Sequence, residues 1–330
     1  MTLARLTFFV LLPVAICESQ PPQQQQTPQQ PTAQEQQRPE PPMTQIRKSV
    51  VFIQLKCRKG ALEYDVRGTG FFVSYPEPRL GKDQSFVYLV TNRHVALCWD
   101  DSGAPMIVES VSIRLNQRNG TNDESAVDLQ LGPGGNLPWF LPTDGSIDLA
   151  LLPVLPDQNK YDYKIIPSSI FAGRDVLEEQ RITEGEPVFF AGFFYQFPGV
   201  TRMEPIVRQG IIAMMPHDRI PFVNAKENLY LADLHVFGGN SGSPAFIDLG
   251  GFHEGSVRIG LEYRLLGVVN GELTEDQNFN LELSTTLTGT QRANSGISTI
   301  VPADNLKALL EDPRLQALRD GEVARQQLKK

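Results

Sequence analysis

With 330 residues, 41% of them apolar, the chain is long enough for one large domain or two small ones around a real core. A formal net charge of −8, with no basic cluster beyond a few residues, argues against nucleic acid or an anionic membrane surface as the main partner. Only the first segment is apolar enough to concern a membrane.

That segment, residues 1–17, carries one arginine, Arg5, and then an apolar run interrupted by Pro13. The run is too short to span a bilayer and fits a secretory signal peptide. Ala15 and Cys17 meet the small-residue rule for cleavage before Glu18. A second reading makes Cys17 the lipid-modified start of a lipoprotein; Ile16 is larger than the residue that normally precedes such a cysteine. On either reading the chain is exported, to a periplasmic or extracellular location, without a membrane span. Residues 18–45 are almost entirely Gln, Pro, Thr and Glu. Such a composition buries too little apolar area to offset chain entropy, so a disordered, partly polyproline-II tether is expected. Once Cys17 leaves with the signal, Cys57 and Cys98 remain. In an exported chain this even pair is a disulfide candidate, the alternative being two buried thiols.

From residue 49 the texture turns to β. Residues 50–55, 64–75, 85–91, 107–115 and 126–131 are rich in Val, Ile, Phe and Tyr, with Gly, Pro and Asn between them, and 148–155 supplies a sixth strand. Six strands match one small closed barrel, which removes exposed edges. Gly68-Thr69-Gly70 interrupts the second strand, the mark of a bulge or a close backbone approach. Residues 116–144 contain a long polar, glycine-rich portion, a candidate cleft wall or, as is commoner for such loops, a surface insertion, and 156–182 reads as a connection. A second β set follows at 187–192, 205–214, 229–234, 244–247, 261–269 and 296–301.

The chemistry gathers in three short boxes. Gly239-Asn240-Ser241-Gly242-Ser243-Pro244 is a glycine-rich turn around one serine, which lets backbone approach a reacting carbonyl. The N–H groups of Gly239 and Ser241 can then point at a developing oxyanion. A serine alone is a poor nucleophile and needs a base and an orienting carboxylate. The base is His94, where the strand Tyr88-Leu89-Val90-Thr91 gives way to a turn; the carboxylate is Asp148, at the mouth of an apolar strand, with Asp144 as fallback. Cys98 lies four residues past His94, so a bridge to Cys57 would brace the turn carrying the base. The chain order His94, Asp148, Ser241 is the chymotrypsin-type order.

With these boxes the sequence resembles the trypsin-like serine peptidases, closest to their bacterial HtrA/Deg branch, through most of residues 45–316. Thr91-Asn92-Arg93-His94-Val95 resembles the histidine box, and Ile147-Asp148-Leu149-Ala150-Leu151-Leu152 the aspartate box. The resemblance implies an all-β fold of two six-stranded antiparallel β-barrels with a C-terminal helix, over residues 46–318. The barrels would cover about 46–155 and 183–302, the closing helix 303–316, and a polar tail 319–330. It implies a triad split across the barrel interface, an acyl-enzyme route to peptide-bond hydrolysis, polypeptide substrates and no cofactor. It also places His235 at the base of the primary pocket and Gly271 and Glu272 along its wall. There the histidine and the glutamate point to opposite substrate charges, and small apolar residues, as the HtrA branch prefers, are a third option. Two departures stand out. Ser243 replaces the usual glycine, and no PDZ-sized segment follows residue 316. His217 and His253 lack metal-ligand spacing, so no metal is expected. A peptidase-fold module that captures peptides with little turnover is the second reading, and the presence of all three boxes argues against it.

Overall fold

The computed structural model describes residues 40–100, 102–120, 126–131, 138–222, 225–253, 256–258, 262–282 and 286–328. The chain divides into Met1–Glu40 and Pro41–Lys330. The expected signal peptide and most of the expected tether lie outside the described residues.

The folded unit opens with α1 (Pro42–Lys48), a helix started by proline in its first turn and burying Ile46. Its first residues, 42–45, fall inside the stretch expected to be tether and are helical. A sheet follows, formed by β1 (Val50–Lys59), β2 (Leu62–Pro76), β3 (Ser85–Thr91), β4 (Ile107–Arg114), β5 (Ala126–Leu129), β6 (Ala150–Pro153) and β7 (Ile166–Pro167). Short helix α2 (Arg93–Ala96) interrupts it after β3. The antiparallel path runs β5-β4-β1-β2-β3-β6, with β7 added parallel to β2. All six expected strands are present. Backbone pairing leaves β5 and β6 at opposite ends of the path, so among the described residues this sheet is not closed into a ring.

After α3 (Arg174–Glu179) comes the second β unit. Its strands are β8 (Pro187–Gly192), β9 (Ile206–Met214), β10 (Ile220–Phe222), β11 (Ala225–Glu227), β12 (Tyr230–Asp233), β13 (Pro244–Asp248), β14 (Gly251–His253), β15 (Ser256–Arg258), β16 (Tyr263–Glu282) and β17 (Thr286–Pro302). Six of them close a barrel in the order β12-β17-β16-β13-β8-β9. The hairpins β10–β11 and β14–β15 were not foreseen. Nor was the length of β16 and β17, which stay paired past the barrel to Glu282↔Thr286. A closed antiparallel barrel, a second, mainly antiparallel sheet and a C-terminal helical segment make this an all-β fold, as expected.

Alternation along the pleat explains why the apolar runs are continuous rather than every second residue. On β1, Val51, Ile53 and Leu55 enter the interior of the first sheet, while Val50 and Phe52 turn to a core shared by both units. On β8, Val188 and Phe190 fill the barrel, while Phe189 and Ala191 join the shared core. Each strand thus buries both faces and cements the two units together.

The C-terminus departs from expectation. Helix α4 (Ala303–Leu310) buries Ala303, Leu306, Leu309 and Leu310. Asp312 then accepts a hydrogen bond from Arg314 N at 2.8 Å, and Pro313 starts α5 (Pro313–Gln327). Residues 319–327 of the stretch expected as a polar tail are therefore helical. The buried face of α5 is Leu315, Arg319 and Val323, spaced four apart. Arg319, only 2% exposed, donates to Gln316 Oε1 at 2.7 Å and to the Tyr88 hydroxyl at 3.3 Å. Its guanidinium lies 4.3 Å from the Tyr75 ring centroid.

Candidate active site

His94 sits on α2, directly after β3. The side chain of Asn92 donates to the main-chain oxygen of Asp148 at 2.9 Å, tying the turn after β3 to the entry of β6. Asp148 then holds the histidine twice. Its Oδ1 accepts the His94 backbone N–H at 3.0 Å, and its Oδ2 lies 2.5 Å from Nδ1. An ionised carboxylate only accepts, so the ring proton sits on Nδ1 and Nε2 is left able to take a proton. Burial works against a charged imidazole here, but the Asp148 charge and hydrogen bond outweigh it. With help from Glu227, they raise the His94 pKa above its ordinary value. The histidine side chain is 46% exposed by surface area, so it opens toward the cleft rather than being sealed. Asp144 is engaged elsewhere. It accepts from Ser146 N and Oγ and from Arg219 Nη2 at 3.0, 2.7 and 2.7 Å, and the Ser146 bonds foremost hold its pKa down to about 2.

Ser241 arrives from the second unit on the turn between β12 and β13. The turn is built by Asn240, fully buried, whose Oδ1 accepts from Phe237 N at 2.8 Å and whose Nδ2 donates to Phe193 O at 2.9 Å. Gly239 and Gly242 have φ of +96° and +87°, values that side chains rarely adopt. Thr69 of β2 clamps the turn from the other unit. Its N–H donates to Ser241 O at 2.9 Å, and its hydroxyl donates to Gly239 O at 2.6 Å while accepting Phe193 N–H at 2.9 Å. The Gly68-Thr69-Gly70 signal therefore marks a close approach and not a bulge, since the β1–β2 register runs through it unbroken. Added Cβ atoms at Gly68 and Gly70 would meet Val95 and Ile53, each at 2.6 Å.

Among the described residues, neither Gly239 N nor Ser241 N donates to a backbone or side-chain acceptor. The Ser241 hydroxyl donates to Asn270 O at 3.0 Å, so it is turned toward β16 and not toward His94. Ser243 fits because of Gly192: a Cβ there would lie 1.9 Å from the Ser243 hydroxyl.

A cleft of about 420 Å³ brings His94, Asp148 and Ser241 together with Gly271, Glu272 and Glu227. His235 is not among its lining. The ring is exposed and packs over Gly296, which would carry a Cβ 3.3 Å from it. It nevertheless lies near enough to Glu272 to be felt: burial raises the Glu272 pKa, and His235 partly counters this. Glu272 also accepts from the side chain of Asn294, whose Nδ2 reaches Val236 O at 3.1 Å. The histidine and glutamate that pointed to opposite specificities in the sequence are thus neighbours, with only the glutamate in the cleft. Glu227 was not foreseen at all, because a single acid at the end of a short hairpin carries no motif.

Cys57 of β1 is bonded to Cys98, which pins the segment after α2 to the first sheet. Lys59 and Asp100 pair beside it. Closing a loop of 41 residues is worth about 4 kcal/mol on chain-entropy grounds. The double variant Cys57→Ala/Cys98→Ala is expected to lose about that much unfolding free energy in urea titrations. An unchanged midpoint would show that the bridge adds nothing to the brace around His94.

Among the described residues no group of His, Cys, Asp or Glu is arranged to hold a metal ion. No helix among them is long and apolar enough to cross a membrane. No family model and no curated protein matches the sequence. Solved structures similar to the chain include the HtrA-type protease AlgW with tripeptide, at 15% identity and a TM-score of 0.44, covering 82% of this chain and 61% of that one. The same protease with decapeptide gives 15% and 0.43, covering 79% and 62%. The chain thus spans about three fifths of the length of these two. The apo protease domain of MamO from Magnetospirillum magneticum gives 16% and 0.43, covering 82% of this chain and all of that one.

Proposed function

We propose that the chain is an exported serine endopeptidase that hydrolyses peptide bonds through His94, Asp148 and Ser241. The observation that carries this reading is the doubly held histidine. Asp148 fixes both the position and the tautomer of His94, leaving Nε2 open in the cleft that also holds Ser241. In the proposed reaction Ser241 Oγ attacks the peptide carbonyl while His94 Nε2 takes its proton, and the same proton goes to the departing amine. Water then repeats the sequence on the acyl-enzyme. The N–H groups of Gly239 and Ser241, without an acceptor among the described residues, are the donors for the tetrahedral oxyanion. For this the Ser241 hydroxyl must leave Asn270 O and rotate toward the imidazole.

That rotation is also what favours a second reading, a peptide-binding module in which the serine stays turned away. Reaction of the full-length chain with a fluorophosphonate probe separates the two. Labelling at Ser241 that disappears in His94→Ala supports the peptidase. No labelling of a folded sample, together with peptide binding, supports the module.

A further inference from the structure

Glu227 ends β11, in a hairpin held over the cleft by Arg219, whose guanidinium donates to Asp144 Oδ2 at 2.7 Å and to Ser146 Oγ at 3.2 Å. The residue is 9% exposed, and among the described residues its buried Oε2 has no hydrogen-bond partner. Burying a carboxyl group without a partner costs free energy, and chains keep such groups where a ligand satisfies them. Here the surroundings make matters worse. Besides His94, the groups felt by Glu227 are two further carboxylates, Asp148 and Asp144. Neither Arg93, which also lines the cleft, nor Arg219 is among the groups that act on Glu227. Arg93 donates to the carbonyls of Gly145 and Pro142 at 3.1 and 2.9 Å, and Arg219 is paired with Asp144. Burial foremost, then Asp148, pushes the Glu227 pKa up to about 7. Glu272, the other cleft acid, is also raised by burial. The cleft thus carries an excess of acid beside the reactive groups, with one oxygen aimed at no partner.

We propose that Glu227 binds a cationic group of the substrate, an ammonium or guanidinium that enters the cleft beside His94 and completes the missing ion pair. The substrate class is taken from the peptidase reading: polypeptides carrying lysine, arginine or a free amino terminus close to the scissile bond. Binding stabilises the ionised carboxylate, so specificity comes from an acid that is costly to leave unpaired and favourable to pair.

The test uses the full-length chain and two peptide sets at pH 8.5. One set is N-acetylated with lysine or norleucine moved through each position near the scissile bond; the other has a free amino terminus and no lysine. The expected result is one position at which lysine is preferred over norleucine by at least about tenfold in kcat/KM, falling toward parity in Glu227→Gln and persisting in Glu272→Gln. A preference confined to unblocked peptides, again lost in Glu227→Gln, assigns the cation to the substrate's amino terminus. Equal preference in parent and Glu227→Gln, or no cation preference in the parent, overturns the proposal. Because Gln is isosteric and removes an unpaired buried charge, the variant should unfold no earlier than the parent in urea. The same peptides titrated onto Ser241→Ala by fluorescence anisotropy need no turnover. Glu227-dependent binding there without cleavage by the parent would sink the peptidase reading and leave this one standing.

Discussion

Asp148→Asn is expected to lower kcat by about 10⁴-fold while leaving the turn around His94 in place. The amide oxygen can still accept the His94 backbone N–H, now 3.0 Å from Oδ1. The amide nitrogen, however, can only donate to Nδ1, which forces the ring proton onto Nε2. The imidazole then has no lone pair for the Ser241 proton. The pH profile should report the same change. His94 works as a base only when neutral, so activity rises as pH climbs through its pKa. That pKa is raised in the parent, which puts the acid limb above the ordinary histidine midpoint of about 6.5. Without the Asp148 charge, burial acts with much less opposition, and the limb of the residual activity should move to lower pH. Stability follows with the matching sign. A raised folded-state pKa contributes stability that is fully present below the unfolded value and lost as pH rises through the folded one. Asp148→Asn should therefore cost more in urea at pH 5.5 than at pH 8.5. Equal activity, or a limb that does not shift, would remove Asp148 from the role proposed for it.

How much of this was legible in the sequence depends on how local each feature is. His94, Asp148 and Ser241 stand out because each sits at a strand end within a short string of matching residues. The strand cores are equally readable, since Val50 to Ile53 and Val188 to Ala191 bury both faces and show as unbroken apolar runs. What escaped depends on partners far along the chain. Thr69 clamps Gly239 across 170 residues, and nothing near it says so beyond the two flanking glycines. Glu227 became conspicuous only once its hairpin was seen to meet the loop before Asp148. His235 was carried in by resemblance as a pocket base, yet it lies exposed over Gly296. Helix α5 did leave a signal, the four-residue spacing of Leu315, Arg319 and Val323, but its central member is an arginine. A charged residue reads as solvent-facing until Tyr75 and Tyr88 are known to receive it.

The turn that carries Ser241 makes the sharpest structural prediction. Gly242→Ala places a methyl group 2.0 Å from Thr69 O and 2.5 Å from Thr91 Oγ1, at a φ of +87°. The left-handed backbone alone costs a non-glycine residue about 1–3 kcal/mol. Overpacking adds about 1–3 kcal/mol more, since the obstacle is backbone rather than the free end of a side chain. Thr69 has no room to retreat without breaking what it holds. Its carbonyl accepts Thr91 Oγ1 at 2.8 Å, its N–H donates to Ser241 O, and its hydroxyl donates to Gly239 O. Any shift that relieves the clash therefore moves the backbone on both sides of Ser241 and turns the proposed oxyanion donors away. The variant is expected to lose about 2–6 kcal/mol of stability in urea titration, and its folded fraction should no longer react with a fluorophosphonate probe. Ser243→Ala is the matched control on the next residue. It removes a buried hydroxyl that, among the described residues, has no hydrogen-bond partner, and should leave the urea midpoint unchanged or raised. If Gly242→Ala instead folds and is labelled like the parent, the Thr69 clamp does not set the geometry of the Ser241 turn.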